Sequence, residues 1–317
     1  MMHVDEGSNA PTISVVTSLY RSAAHLTEFH DRVSQSLQAI TPKFEIILVN
    51  DGSPDESLKL AVALQERHRG RVKVIDLSRN FGQHRALLTG LRHASGDLVF
   101  MMDSDLEEEP ELMASFYEAY KRAPGEIDLV YGVQVNRQGD AFRRLSGHLF
   151  YRLFNALSPI TIPESPTPFR LMTRRYVNAL TSFGEREVFF LGLSVLTGFD
   201  SLAVPIVKPS ISSTTYTLAK RIAMFVDAVT SFSSKPLAFI FYAGVVISAV
   251  SAVSLVLLTI QYFVLGVGVS GWTSLIVSIW MVGGMVVFSL GVIGIYLSKI
   301  FSEVKQRPFT IIRRIYE

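Results

Sequence analysis

The feature that most constrains this chain is a long stretch near its C-terminus without a charged side chain. From Pro236 to Ser298 there is no Asp, Glu, Lys or Arg. Two apolar segments fill the stretch, residues 237–265 and 272–297, and each exceeds the ~20 residues that a helix needs to cross a bilayer. The link between them, GVGVSG, is short, glycine-rich and uncharged. The sequence therefore predicts a hairpin of two transmembrane helices.

Charge predicts how this hairpin is oriented. Residues 299–317 form a basic tail with five basic and two acidic side chains, whereas the link has none. The positive-inside rule then places both ends of the hairpin in the cytoplasm, so we expect a multi-pass protein of the inner (cytoplasmic) membrane whose large N-terminal part faces the cytoplasm. The N-terminus MMHVDEGSNAP has no apolar signal region, which agrees. Small residues on the second span are compatible with packing against a second copy, that is, with a homo-oligomer: Gly283, Gly284, Gly291 and Gly294.

Residues 1–212 show short apolar runs that alternate with amphipathic stretches. The runs are ISVVTSL, FEIILVN, KVIDLS, DLVFMMD and DLVYGV, and the amphipathic stretches include AHLTEFHDRVSQSLQAI and ESLKLAVALQERH. Such runs are typical of strands buried on both faces. The pattern predicts an α/β domain with a mainly parallel sheet flanked by helices, in which ligands bind beyond the carboxyl ends of the strands.

Residues 213–235 connect this domain to the hairpin. The segment YTLAKRIAMFVDAVTSFSSK has an apolar face and lies directly before the first span, which predicts an amphipathic helix in the membrane interface. An ordinary helix that packs on the α/β domain is the alternative. We find no basic stripe with interleaved aromatic residues, so we expect no nucleic-acid partner.

Polar residues follow the predicted strands. Asp51 ends the second strand in VNDGSPDES, where its carboxylate can accept hydrogen bonds from a nucleobase or ribose, although Asp-Gly-Ser is also plain turn chemistry. No glycine follows the first strand, which disfavours a dinucleotide oxidoreductase. In LSRNFGQHRALLTGL, Arg79 and Asn80 precede Gly82 and a helix, which suits phosphate oxygens, with a polar loop as the alternative.

The stretch MMDSDLEEEP places two carboxylates within reach of one cation. Mg²⁺ and Mn²⁺ prefer oxygen ligands, and Mg²⁺ is commonly held by one or two carboxylates plus substrate phosphates. Asp103 and Asp105 are therefore the predicted metal ligands, although D-x-D alone is a short and common pattern. We interpret Glu108 and Glu109 as acidic residues at the start of a helix near Pro110.

Taken in order, several motifs resemble the family-two inverting glycosyltransferases that use polyprenyl phosphates, such as dolichyl-phosphate mannose synthase and the bactoprenol glucosyltransferases. The motifs are VNDGS, LSRNFGQHRALLTGL, GDLVFMMDSDLEEEPELM, DLVYGV, FYRLFN, FRLMTRR, SFSSKPL and GIYLSKIFSEVKQRP. The resemblance implies a GT-A-type catalytic domain, a nucleotide-sugar donor, a divalent cation (Mg²⁺ or Mn²⁺) and a lipid-phosphate acceptor. In it, Asp51 matches the acid that binds base or ribose, and Asp103 and Asp105 match the metal and diphosphate motif.

The sequence departs from that family pattern at several positions. Asn50 replaces the first residue of an acidic pair, Glu107 replaces a glutamine, and Gln134 replaces an arginine. Thr167-Pro168 stands where most bactoprenol enzymes have Gly-Asp. The departures suggest a distinct subgroup, and they concern the sugar and acceptor pockets more than the nucleotide site.

These observations give two sets of predicted site residues. For the donor and its cation they are Tyr20, Asp51, Arg79, Asn80, Gly82, Asp103, Ser104, Asp105 and Glu107. For the acceptor phosphate they are Arg137, Arg143, Arg144, Arg170 and Lys208. Asp103 and Asp105 are the predicted catalytic pair, and Glu185 or Glu187 is the candidate base should the acceptor be a hydroxyl.

Three functions remain open at this point. The first is transfer of a sugar to a polyprenyl phosphate, which supplies lipid-linked sugar for cell-envelope glycan or glycoconjugate assembly. The second is transfer to a hydroxyl of a lipid-linked saccharide, and the third is a catalytically silent membrane scaffold. The three aspartates argue against the third.

Overall fold

The computed structural model describes residues 11–135, 152, 154–158, 161–163, 166–185, 190–207, 226–227, 229–265 and 271–317. The strands are β1 Ile13–Leu19, β2 Phe44–Asn50, β3 Val72–Leu77, β4 Leu98–Met101, β5 Leu129–Gln134, β6 Pro166–Thr173, β7 Ser201–Ile206 and β8 Ile312–Tyr316. The helices are α1 Leu26–Gln38, α2 Ser57–Arg67, α3 Gln83–His93, α4 Leu112–Lys121, α5 Arg174–Ser182, α6 Phe190–Leu196, α7 Lys235–Leu265 and α8 Trp272–Val304.

The eight strands form one sheet in the order β7-β5-β6-β4-β1-β2-β3-β8. Strands β4, β1, β2 and β3 run parallel, β5 and β7 are parallel to each other, and β6 and β8 are antiparallel to their neighbours. The expected α/β domain with a mainly parallel sheet is therefore confirmed. The five strands predicted from apolar runs correspond to β1 to β5.

Apolar side chains on both faces of the sheet explain why these runs form strands. On one face, strand residues pack with α1, α2 and α4, and on the other with α3, α5 and α6. In α1 the three- and four-residue spacing of Leu26, Phe29, Val33 and Leu37 turns all four toward the sheet, where they are fully buried. Each such burial stabilises the fold by about 1.5–3 kcal/mol.

Helix α3 lies unusually close to the sheet because of Gly90. A Cβ atom at this position would come within 2.5 Å of a methyl group of Val16 and within 2.9 Å of one of Val49. Any larger residue would push α3 away from β1 and β2. The N-terminus of α3 is thereby held near the carboxyl ends of these strands.

The C-terminal residues return to the sheet as its edge strand. β8 pairs antiparallel with β3, and residues 307–317 belong to the same compact unit as the α/β domain. The sequence interpretation treated residues 299–317 as one basic tail. In the structure, α8 extends to Val304 and the remainder contributes a strand.

The second compact unit comprises residues 152–159 and 216–306. It contains α7 and α8, which are long and apolar enough to cross a membrane over Lys235–Leu258 and Ser278–Val304. Tyr296 on α8 donates a hydrogen bond to the carbonyl of Ser233, just before α7, over 2.5 Å. Most of the predicted interface helix lies outside the described residues, and of it the structure describes helical residues at 226–227 and 229–232.

Candidate active site

A cavity of about 340 Å³ opens at the carboxyl ends of β1, β2 and β4. Because parallel strands end at the same edge of a sheet, the polar residues that follow them meet there. The cavity is lined by Ser18, Tyr20, Arg21, Ser22, His25, Asp51, Asn80, Gln83, Asp103, Ser104 and Asp105. Six of the nine residues predicted for the donor and its cation line this one cavity: Tyr20, Asp51, Asn80, Asp103, Ser104 and Asp105.

Asp51 lies at the buried base of this cavity and is 2% exposed. Its Oδ1 accepts a hydrogen bond from the backbone N–H of Phe81 at 2.7 Å, and its Oδ2 accepts one from Gly82 at 3.0 Å. Burial raises the pKa of this carboxyl, and the two hydrogen bonds and the charge of Arg79 offset part of the rise. Asp51 thus fixes the loop before α3, and each oxygen retains a second lone pair for a ligand.

The turn after Asp51 approaches the same loop so closely that only glycine fits. Gly52 has φ +60°, and a Cβ there would lie 2.5 Å from the backbone carbon of Arg79 and 2.5 Å from the nitrogen of Asn80. Both the left-handed conformation and the contact therefore require glycine. The turns after β2 and β3 therefore pack with their backbones in direct contact beside the cavity.

Asp103 and Asp105 are each oriented by a local donor. The side-chain amide of Gln83 donates to Oδ1 of Asp103 over 2.7 Å, and the backbone N–H of Glu107 donates to Oδ1 of Asp105 over 3.0 Å. Between Asp105 and Glu107, Leu106 adopts φ +60°, a sparsely populated conformation for a branched residue. Such a turn is typical of a functional site.

Ser104 ties the D-x-D segment to β1 and to the turn that follows it. Its hydroxyl shares a 2.9 Å hydrogen bond with the hydroxyl of Ser22 and donates to the carbonyl of Ser18 at 3.2 Å. The side chain is 6% exposed. This hydroxyl therefore holds the two aspartates at a fixed distance from β1.

The donor set fits a hard divalent cation that shares its coordination with a substrate. Within the described ranges, no group of three or more His, Asp and Glu side chains could hold a metal by itself. Two carboxylates in an open polar cavity match the usual Mg²⁺ arrangement, in which phosphates and water complete the coordination. Asp103 and Asp105 are the residues that would hold it.

A second cavity, of about 350 Å³, has Arg170 among its lining residues. This side chain is 5% exposed, and its Nη1 donates to the hydroxyl of Ser194 over 2.8 Å. Its Nε has no hydrogen-bond partner, and no carboxylate within the described part of the chain forms an ion pair with it. Burial lowers the pKa of Arg170, and the nearby Tyr176 and Tyr131 raise it. The unpartnered Nε of this buried guanidinium is a donor that an anionic ligand could satisfy.

Other predicted residues lie elsewhere. Arg79 and Gly82 belong to the loop that Asp51 holds, but like Glu107 they do not line the cavity at the strand ends. Glu185 is half-buried after α5. Five of the predicted residues lie outside the described residues: Arg137, Arg143, Arg144, Glu187 and Lys208.

Five further lining residues were not in the predicted donor-site set: Ser18, Arg21, Ser22, His25 and Gln83. Four of them lie in or after β1, at the kind of strand end where the sequence predicts ligand binding. Arg21 also has φ +57°, which no sequence pattern indicates. The fifth, Gln83, is the first residue of α3.

The glutamates after the D-x-D also differ from expectation. α4 begins at Leu112, so Glu108 lies before the first turn of the helix. Its side chain is buried, with 1% exposed. Glu111 is the N-cap residue, but its side chain instead forms two hydrogen bonds with Arg32 of α1, at 3.0 and 2.7 Å. The acidic segment thus links α4 to α1.

Comparison with known proteins agrees with this arrangement. The model of the family "Glycosyl transferase family 2" matches residues 14–181. A Mycobacterium tuberculosis protein that is named as a glycosyltransferase is 45% identical over 304 residues, covering 96% of this chain and 88% of the relative. The SfII prophage-derived bactoprenol glucosyl transferase of Shigella flexneri is 31% identical over 317 residues, covering 95% and 97%.

Among solved structures, glucosyl-3-phosphoglycerate synthase from Mycobacterium tuberculosis in complex with Mn²⁺, UDP-glucose and phosphoglyceric acid is similar with a TM-score of 0.47 and 19% identity. The similarity covers 69% of this chain and 78% of that one. The family match spans more than half of the chain, and it contains the strands and the aspartates that build the donor cavity. The protein is therefore a glycosyltransferase that belongs to glycosyl transferase family 2.

Proposed function

We propose that this protein is a membrane-anchored inverting glycosyltransferase that moves a sugar from a nucleotide-sugar donor to a polyprenyl phosphate. The observation that carries the proposal is the combination, in one chain, of a cavity lined by three aspartates with two helices apolar enough to cross a membrane. The Shigella flexneri relative, a bactoprenol glucosyl transferase by name, supports this acceptor class. The product would be a lipid-linked sugar for cell-envelope glycan or glycoconjugate assembly.

The donor cavity would hold the nucleotide at Asp51 and the diphosphate at Asp103 and Asp105. A divalent cation bound at these two aspartates would supply positive charge that offsets the charge on the leaving diphosphate. Arg21 and Asn80, which also line the cavity, offer donors to phosphate oxygens. The chain's own task is to present these groups in a fixed arrangement.

The second cavity would hold the acceptor phosphate at Arg170. A phosphate anion there would balance the buried guanidinium charge and occupy the free Nε donor. Arg170 on β6 lies opposite Met101 on β4, two residues before Asp103. Neighbouring strands therefore contribute residues to the two cavities. Apolar lining from Leu191, Val195 and Phe199 would exclude water around the phosphate.

In the proposed reaction, an acceptor phosphate oxygen forms a bond to the anomeric carbon of the sugar. The bond from that carbon to the diphosphate breaks, and its electron pair leaves with the nucleoside diphosphate, so the anomeric configuration is inverted. A phosphate monoester is already ionised near neutral pH, its second pKa being about 6. The step therefore needs little help from a general base, and Glu185 is required only for a hydroxyl acceptor.

We also propose that the protein is a multi-pass protein of the inner membrane with its catalytic domain in the cytoplasm. β8 follows the two apolar helices in sequence and pairs with β3 of the catalytic sheet. Residues before and after the two apolar helices thus belong to one sheet and lie on the same side of the membrane. The chain must therefore cross the membrane an even number of times. Four basic residues follow the second span at Val304, namely Lys305, Arg307, Arg313 and Arg314, which favours the cytoplasmic side.

Membranes that contain the full-length protein would be incubated with a panel of labelled nucleotide sugars and polyprenyl phosphate, with and without EDTA. We expect label in the lipid extract with one donor, its loss with EDTA or in Asp103→Asn, and its retention in Glu109→Gln, an exposed carboxylate nearby. A product stable to mild acid would indicate a hydroxyl acceptor instead. If calorimetry shows no Mn²⁺-dependent binding of any common nucleoside diphosphate, the catalytic proposal is wrong.

A further inference from the structure

The C-terminal strand carries an arginine that pairs with a buried aspartate of β3. In the pairing of β8 with β3, Asp76 lies opposite Arg314 and Leu77 opposite Ile312, so Arg313 is an extra residue in a β-bulge. Its Nη1 donates to Oδ2 of Asp76 at 3.1 Å, and its Nη2 donates to the carbonyl of Ser78 at 2.6 Å. The bulge thus directs this guanidinium to the carboxyl end of β3.

Asp76 connects Arg313 to the turn beside the donor cavity through hydrogen bonds. It is 1% exposed, and its other oxygen accepts a hydrogen bond from the side-chain amide of Asn50 at 2.8 Å. The carbonyl oxygen of the Asn50 side chain in turn accepts the backbone N–H of Ser53 at 3.3 Å, which closes the turn that contains Asp51. The hydroxyl of Ser53 accepts the backbone N–H of Arg21, a residue of the cavity wall, at 2.7 Å.

The same C-terminal segment also holds the loop after β3. The backbone N–H of Ser78 donates to the carbonyl of Ile311 at 2.8 Å. The hydroxyls of Thr310 and of Thr89 on α3 share a hydrogen bond of 2.8 Å, and Phe309 is buried in the core beneath that helix. The turns after β2 and β3, at the base of the donor cavity, are therefore held by residues that follow the second apolar helix in sequence.

We propose that Arg313 is a positioning residue of the donor site, which acts through Asp76 and Asn50 on the turn that carries Asp51. This inference rests on the proposed function in one respect, that the cavity binds a nucleotide. Arg313 does not line the cavity, and 58% of its side chain is exposed, so it contributes no contact to the donor. Its role is to fix the orientation of the Asn50–Asp76 pair.

The pair also explains why an amide stands at position 50. The nitrogen of Asn50 donates to Asp76 while its oxygen accepts from Ser53, and a carboxylate could perform only the second role. An aspartate at position 50 would place two carboxylates at hydrogen-bond distance in a buried site, which raises the free energy of the charged pair. Asn50 and Asp76 are thus a matched pair.

The first test compares Arg313→Met with Arg314→Met in the full-length protein in membranes. Arg314 is the matched control because it lies next along the same strand, with its guanidinium over the Tyr316 ring at 4.7 Å. We expect Arg313→Met to raise the donor Kd and KM by about tenfold, with kcat changed much less, because a hydrogen-bonded charge is removed from a buried carboxylate. Arg313→Lys should restore part of the affinity, and Arg314→Met should match the wild type.

The second test exchanges the side chains of Asn50 and Asp76. It remains informative should Arg313→Met fold poorly. Asn50→Asp should weaken donor binding by at least about tenfold, whereas the double variant Asn50→Asp with Asp76→Asn should recover to within about threefold of the wild type. Binding of a panel of nucleoside diphosphates with Mn²⁺ is the readout, alongside thermal unfolding without ligand.

The outcomes separate this inference from the proposed function. If the wild type binds no nucleoside diphosphate, the proposed function fails. If the wild type binds one and Arg313→Met binds it equally well, or the double variant is no better than Asn50→Asp, the positioning role is refuted while the proposed function stands. A drop in kcat alone, with unchanged donor KM, would also refute it.

Discussion

Gln83, the first residue of α3, donates a hydrogen bond from its side-chain amide to Oδ1 of Asp103 over 2.7 Å. This contact joins the helix that follows β3 to the aspartate that follows β4. Gly90 sets how closely that helix lies on the sheet, so the position of Asp103 depends on the packing of α3. Residues that orient a metal ligand contribute substantially to metal affinity.

Replacing Gln83 with Met should therefore weaken the cation site without removing a ligand. We expect the Mn²⁺ concentration for half-maximal activity to rise by about tenfold, since loss of an outer partner typically costs ten- to hundredfold. Titration of activity with Mn²⁺ after EDTA treatment measures this. Gln38→Met, at the exposed end of α1, is the control and should titrate like the wild type. An unchanged titration of Gln83→Met would contradict the assignment of Asp103 to the cation.

Two glycines with positive φ allow strain and steric contact to be separated. Gly52 (φ +60°) and Gly70 (φ +78°) both carry the cost of a left-handed conformation when replaced by Ala, about 1 kcal/mol. Only at Gly52 would the new Cβ meet backbone, at 2.5 Å from Arg79 and Asn80, whereas nothing lies within 4 Å at Gly70. We expect Gly52→Ala to lower donor affinity by more than about tenfold and Gly70→Ala to leave it unchanged. Equal affinities in calorimetry would show that the Gly52 turn does not shape the cavity.

The sequence predicted β1 to β5 because strands buried on both faces leave an uninterrupted apolar run. It did not predict β8, since IRRIY contains two adjacent arginines and reads as a soluble tail. The partner of Arg313 is Asp76, 237 residues earlier, and no local pattern indicates such a pairing. Whether such a segment forms an edge strand depends on its packing against the neighbouring strand of the sheet.

The cavity at the strand ends was predictable in its location but not in its internal contacts. Polar residues after successive parallel strands must meet, which is why Asp51, Asn80 and Asp103 lie together. That Asp51 would hold the N–H groups of Phe81 and Gly82 depends on the approach of two turns in three dimensions. Arg170 was predicted as an acceptor ligand from its motif, yet only the structure shows it buried in a cavity.

The contact between α1 and α4 predicts a pH-dependent contribution to stability. The hydrogen bond from Arg32 is the main cause that lowers the pKa of Glu111 below its ordinary value of 4.5. A carboxyl whose pKa is lower in the folded state stabilises the fold above pH 4.5, and this contribution is lost as the pH falls through the folded value. Because the pair is partly exposed, it is worth at most about 1 kcal/mol.

Glu111→Gln should accordingly lower the thermal unfolding midpoint by about 1–4 °C at neutral pH. The difference from the wild type should shrink as the pH is lowered from about 5 to about 3.5, and also in high salt. Glu109→Gln, an exposed carboxylate two residues earlier, is the control. A difference that persists unchanged at low pH would show that the Arg32 ion pair is not its cause.

The buried guanidinium of Arg170 gives a prediction for the acceptor. Arg170→Met should raise the KM for polyprenyl phosphate by more than about tenfold, since an ionic hydrogen bond to phosphate is lost, while donor binding stays near the wild-type value. Ser194→Ala removes the partner of Nη1 and of the Tyr176 hydroxyl but keeps the charge of Arg170, so its effect on the acceptor KM should be smaller. Arg122→Met, at the exposed end of α4, is the control. Because a buried arginine also supports the fold, thermal unfolding of each variant is measured in parallel. An Arg170→Met enzyme that folds and keeps the wild-type acceptor KM would exclude this cavity as the phosphate site.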